Sequence, residues 1–122
     1  MSQQPLRESV SLWLDALRSG RYIQVTAALN TDGRYCCLGV ACELYQQHVG
    51  GLVITQHLNR TLYNGEGELL PPIVQAWLGL RNPSGQHYSG QLTEDNDDGK
   101  SFLEIADIIE ARPVGLFDDT GG

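Results

Sequence analysis

No long apolar run occurs in this chain, so nothing in it reads as a membrane-spanning helix. The opening residues Met1 to Pro5 lack the basic and apolar regions of a signal peptide. Cysteine is scarce and odd in number, at Cys36, Cys37 and Cys42. A small secreted scaffold carries more, evenly counted cysteines, and the neighbours Cys36 and Cys37 could not pair without strain. Reduced thiols in a cytoplasm are the expectation. Positive charge is also short: 8 Lys and Arg stand against 15 Asp and Glu, a formal charge of −7. That balance repels a phosphate backbone, disfavours nucleic-acid binding and suits a partner with a basic patch. Phosphate-loop, dinucleotide-binding and nucleophile-elbow motifs are missing. There is no C-x-x-C pair, and Cys37, Cys42 and His48 splay around one helix, so no metal and no cofactor is implied.

What remains is an ordinary globular composition, with hydrophobic residues at 41% in 122 residues. One domain over 1–122 is expected, with tails at 1–5 and 117–122. Leu6, Val10, Trp13, Leu14 and Leu17 paint one stripe of a first helix that Gly20 stops. Tyr22 to Thr26 predicts a strand or extended segment, and the Asp32-Gly33 turn leads into a short return strand at Arg34 to Cys36. A second helix is expected from Cys37 to Val49, with Leu38, Ala41, Cys42, Tyr45 and Val49 inward and Gly50-Gly51 at its end. Leu52 to Thr55 predicts a strand, and Thr61-Leu62-Tyr63 one arm of a hairpin with a turn signal at Asn64-Gly65. Pro71-Pro72 opens a short third helix whose apolar face is Ile73, Ala76, Trp77 and Leu80. Residues 81–100 read as a polar loop. Ser101 and Glu104 form a capping box for a last helix that buries Phe102, Ile105, Ala106 and Ile109 and stops at Pro113. Four helices with clustered short antiparallel strands make the fold class α+β.

Several groups carry chemistry. Cys36 and Cys37 sit at a strand-to-helix junction, where a helix N-terminus lowers a thiol pKa and a histidine would make a nucleophile–base pair. Their apolar neighbours favour packed core instead. The acidic run Glu94 to Asp98 resembles a calcium loop, but its twelfth position is Ile105 where a bidentate Glu is needed. A solvated turn ahead of a helix is the preferred reading. Glu104, Asp107 and Glu110 read as a solvated face. The loop residues Arg60, Tyr63, Arg81, His87, Tyr88, Asn96 and Asp97 are the candidates for a ligand, of which a nucleotide-like molecule held by stacking and charge is one.

Four segments carry a resemblance: Trp13 to Gly20; Arg34-Tyr35-Cys36-Cys37-Leu38-Gly39-Val40; Leu70-Pro71-Pro72 with Trp77 to Leu80; and Asn96 to Gly99 with Phe102 and Ile105 to Asp107. The chain resembles a group of small proteins encoded by tailed bacteriophages and prophages, most specifically through Tyr35-Cys36-Cys37-Leu38-Gly39. The resemblance implies a phage accessory protein in the cytoplasm of a bacterial host, and brings no catalytic residue with it. By analogy, a non-enzymatic inhibitor of a host or anti-phage defence protein is the first expectation. A protein that sequesters a small nucleotide signal is the second, and a cysteine-dependent enzyme the third. A symmetric homodimer is compatible with each.

Overall fold

The computed structural model describes residues 6–118, so the expected tail at 1–5 lies outside the described residues, as do residues 119–122. Helix α1, Glu8–Arg18, forms on the apolar stripe foreseen for it and buries Val10, Trp13, Leu14 and Leu17. The indole N–H of Trp13 donates to the Cys37 carbonyl at 2.9 Å, tying α1 to the start of the next helix. A hairpin follows: β1, Asn30–Thr31, pairs antiparallel with β2, Arg34–Tyr35. Asp32 and Gly33 both take positive φ, as a two-residue primed turn requires. That turn dictates that its arms lie directly beside it. Asn30–Thr31 is therefore the arm that pairs with Arg34–Tyr35, and the Tyr22 to Thr26 segment, no full strand, joins Tyr35 by an isolated parallel bridge at Gln24.

Helix α2, Cys37–His48, is the centre of the fold. Leu38, Ala41, Cys42 and Tyr45 are buried as expected, but Val49 is exposed, and Cys37, Gly39, Val40 and Leu44 are buried as well. A helix enclosed on nearly all sides shows no single stripe. Gly39 permits this: a Cβ there would overlap the Leu29 carbonyl group.

The next hairpin is β3, Ile54–His57, with β4, Arg60–Tyr63, in the register Ile54↔Tyr63 to His57↔Arg60. Its turn is Leu58-Asn59. Asn64-Gly65 forms a turn too, but closes a bridge between Tyr63 and Glu66. The strand start moves from Leu52 to Ile54 because Leu52 is buried and its N–H is held by Gln46 Oε1 at 3.0 Å. The sheet order is β2-β1-β4-β3.

Helix α3, Pro72–Leu78, has proline in its first turn and Gly79 in the left-handed region as its C-cap. Its buried face is Val74 and Leu78, with Leu80 buried beyond it. Ile73 and Ala76, expected inward, are exposed, and Trp77 is half-buried, edge-on to Tyr45 at 5.4 Å. Apolar residues occupy every side of this seven-residue helix except Gln75, so their spacing cannot select a face.

Residues 81–100 are not all loop. A small hairpin of β5, Gln86–His87, and β6, Gly90–Gln91, leads into α4, Leu92–Asp97. This helix turns Leu92 and Asn96 inward, Glu94 and Asp97 outward, and Asp95 towards the buried His87. Helix α5, Phe102–Glu110, carries the foreseen capping box and buried stripe. Its outer acids are not left to solvent alone, since Arg18 pairs with Asp107 at 2.9 Å and Glu110 at 2.8 Å. Phe117 and Asp118, expected in a tail, are held: Phe117 bridges Leu80, and the Asp118 N–H donates to the Gly79 carbonyl at 2.6 Å.

The fold is α+β, with five helices and two small antiparallel sheets among the described residues. One hydrophobic cluster unites α1, α2, α3, α4 and α5 with Leu29, Tyr63 and Leu116. No helix among the described residues is long and apolar enough to cross a membrane.

Candidate functional site

Four of the candidate residues meet around the irregular segment 24–28, which α4 pins from one side. Gln24 Nε2 donates to Asn96 Oδ1 and to the Lys100 carbonyl, both at 2.8 Å. Asn96 Nδ2 donates to the Val25 carbonyl at 2.8 Å. The Ala27 N–H donates to Asp97 Oδ1 at 2.9 Å. Ala27 sits at φ 66°, in the left-handed region that costs a residue with a Cβ. From the sheet side, Arg60 reaches the Ala27 carbonyl at 3.5 Å and Glu68 at 3.3 Å.

These contacts border a cleft of about 190 Å³. Its floor is apolar, from Ala27, Ala28, Leu69 and the Cys36 side chain; its polar lining is Thr93, Asp97 and Glu68. Of the two lining carboxylates, Glu68 is paired with Arg60 at 3.3 Å, so the uncompensated charge at the cleft is that of Asp97, which suits a positively charged group and opposes a phosphate.

The thiols in and beside the cleft are unsuited to nucleophilic work. Cys36 caps α2, its sulfur accepting the Gly39 N–H at 3.4 Å. That amide stabilises a thiolate, yet burial outweighs it and pushes the Cys36 thiol up to about 11. Burial also holds Cys37 and Cys42 well above the usual thiol range. The Cys37 thiol donates to the Leu92 carbonyl at 3.7 Å, and among the described residues no thiol is hydrogen-bonded to an imidazole.

The other candidates lie elsewhere. Tyr63 is fully buried; its hydroxyl donates to Glu43 Oε2 at 2.7 Å and accepts from Asn30 Nδ2 at 3.0 Å, and burial raises its pKa. His87 is buried too. Its Nδ1 accepts the Ser89 N–H at 3.3 Å, which leaves Nε2 protonated to donate to Asp95 Oδ2 at 3.0 Å. Both ring nitrogens are thereby engaged. Arg81 and Tyr88 are exposed, with their backbone N–H groups on the carbonyls of Leu116 and Val114. Cys36 and Asp97 thus line the cleft and Arg60 and Asn96 hold the segment 24–28 that borders it, while Tyr63, Arg81, His87 and Tyr88 do neither.

A second surface was not marked by sequence reasoning. All four residues of β3 are exposed, and β3 is an edge of its sheet. Val53, Ile54 and Leu58 present apolar side chains to solvent, Leu58 with 90% of its surface exposed. Leu58 also holds φ 56° at the first position of the hairpin turn, where glycine is the ordinary choice. A strained conformation that displays a large apolar side chain on a hairpin tip is expensive for folding and contributes nothing to the core. The signal in sequence was the run Val53 to Leu58 without proline, glycine or an acidic or basic residue, but with Thr55, Gln56 and His57 inside it the order of residues does not say which side faces solvent.

Residues 6–113 match the family model described as Domain of unknown function (DUF8296). No curated protein and no solved structure matches the chain.

Proposed function

The chain belongs to the DUF8296 family, and from that premise we propose that it is a non-enzymatic binding protein that engages another protein through the β3–β4 hairpin. The observation that carries this reading is the exposed Leu58, held at positive φ at the tip of an edge hairpin whose other end exposes Val53 and Ile54. A large apolar side chain kept in solvent at a folding cost is accounted for by a protein contact. The buried, high-pKa thiols and the fully engaged His87 weigh against a cysteine-dependent enzyme. The resemblance to phage-encoded proteins supports a bacterial host or anti-phage defence component as the partner, met in the host cytoplasm and inhibited by being bound.

The test starts from tagged full-length protein in bacterial lysate. A partner identified by mass spectrometry is then purified, recombined with the protein and assayed for its own activity. The expected result is a reconstituted complex with reduced partner activity, both lost in Leu58→Gly. A complex that Leu58→Gly leaves intact, or a partner whose activity is untouched, removes the reading.

The cleft favours a second reading, a small-ligand binder. Asp97, whose neighbour Glu68 is already paired with Arg60, turns that reading from nucleotides towards a cationic ligand. Thermal-shift measurement with butylamine and with nucleotides separates the two, and a shift with neither, or one unchanged in Asp97→Asn, excludes this cleft as the site.

A further inference from the structure

We propose that the partner binds by adding a strand to the open edge of β3, and that the added strand is an extended, positively charged segment of a different protein. This rests on the protein-binding reading above and specifies its geometry and chemistry. β3 pairs with β4 on one side only, so its other edge lacks a strand partner among the described residues. Such an edge presents unpaired backbone N–H and C=O groups, and natural sheets usually blunt it with charge, proline, a bulge or a covering loop. β3 carries none of the first two: Ile54, Thr55, Gln56 and His57 are uncharged or neutral, and all four are exposed. Its pairing with β4 runs without a bulge from Ile54↔Tyr63 to His57↔Arg60, which keeps the edge straight enough to template another strand.

Charge selects the occupant. β3 itself carries no acid or formal cation, Arg60 of β4 is paired with Glu68 at 3.3 Å, and Glu66 bridges Tyr63 on the side of β4 away from β3, so the field at the open edge is that of the whole chain. The whole chain stands at −7. A second copy would bring an equal negative charge to the same edge, whereas a basic segment is drawn to it. Ile54 would meet side chains on one face of the added strand, with Val53 on the other face and Leu58 at the turn, the backbone supplying affinity and these contacts selectivity.

The probes are two octapeptides, one alternating Lys and Val and the other Glu and Val, added to the full-length protein at low salt. The Lys–Val peptide is expected to bind about tenfold more tightly than the Glu–Val peptide, with the preference shrinking as salt rises. It is also expected to slow hydrogen exchange at the β3 amides that face away from β4. Ile54→Lys should abolish both effects, and Ile54→Ser serves in its place if the Lys variant does not fold. Equal affinity for the two peptides, or protection confined to other elements, overturns the proposal. So does a free protein that sediments as a dimer with its β3 edge amides already protected, since the occupant is then a second copy. A natural complex that depends on Leu58 but leaves those amides unprotected removes strand addition while protein binding stands.

Discussion

The side-chain oxygen of Asn96 accepts the backbone N–H of Cys37 at 3.3 Å, so a residue of α4 serves the first turn of α2. The same oxygen takes the Gln24 amide, and the Asn96 amide group donates to Val25. One buried side chain, 1% exposed, therefore joins the central helix, the cleft segment and α4. Asn96→Ala leaves these buried groups without partners and is expected to cost about 2–3 kcal/mol. Denaturant unfolding checks this, and hydrogen exchange should show segment 24–28 loosening first. A loss below 0.5 kcal/mol, roughly the size of a neutral surface change, would show that the hub is dispensable.

Gly39 is expected to be intolerant of even a methyl group. Its neighbour across the gap is the Leu29 backbone, which cannot swing aside as a side chain can. Gly39→Ala should destabilise by about 3 kcal/mol. Gly20→Ala is the contrast. That residue has positive φ but open space around it, so only the conformational cost of about 1 kcal/mol applies. Melting temperatures of the two variants, compared with the parent, decide the point.

The thiols make alkaline stability fall. An unfolded thiol ionises near 9.0, while Cys36 in the fold does so only at about 11. As pH rises the unfolded state sheds this proton first, so the contribution is whole below pH 9 and declines between 9 and 11. The slope is about 1.4 kcal/mol per pH unit for Cys36, or about 3 kcal/mol across the window, and Cys37 and Cys42 act in the same direction. Urea unfolding at pH 8 and pH 10.5 measures it. Cys36→Ser, which keeps an acceptor for the Gly39 N–H, should flatten the slope.

The same burial predicts slow modification. Iodoacetamide at pH 8 should leave all three thiols of the folded protein unmodified and label all three in denaturant, read by intact mass. Rapid labelling of Cys36 alone in the folded protein would revive a reactive thiol at the cleft.

Leu58→Gly is expected to raise stability by about 1 kcal/mol, because it removes a strained positive φ and forfeits no buried surface. A loss of stability would mean that the Leu58 side chain supports the hairpin. A gain, together with the loss of a partner, marks the residue as kept for contact at the expense of folding.

The amphipathic helices were legible because their chemistry is local. The stripe of α1, the capping box of α5 and the Asp32-Gly33 turn each depend on residues within a few positions of one another. α4 escaped notice because it is only six residues long and its inward pair, Leu92 and Asn96, includes a polar side chain that looks like loop. The face of α3 could not be chosen, since nearly every residue of that helix is apolar. At the cleft, Cys36, Asp97 and the neighbouring Arg60 were visible as residue types, but their meeting depends on the fixed course of segment 24–28 between them.

The amino-acid order alone determined the α+β class, the capped and striped helices, the acidic character and the lack of an obvious catalytic motif, because propensity, capping and charge act over a few residues or over the whole composition. Only the tertiary structure decided that Tyr63, His87 and Asn96 face inward with their polar atoms satisfied, while Val53, Ile54 and Leu58 face out. Burial belongs to the packing of distant segments. A polar side chain enters the core when a partner far along the chain meets its hydrogen bonds, and an apolar one stays in water when its strand ends the sheet.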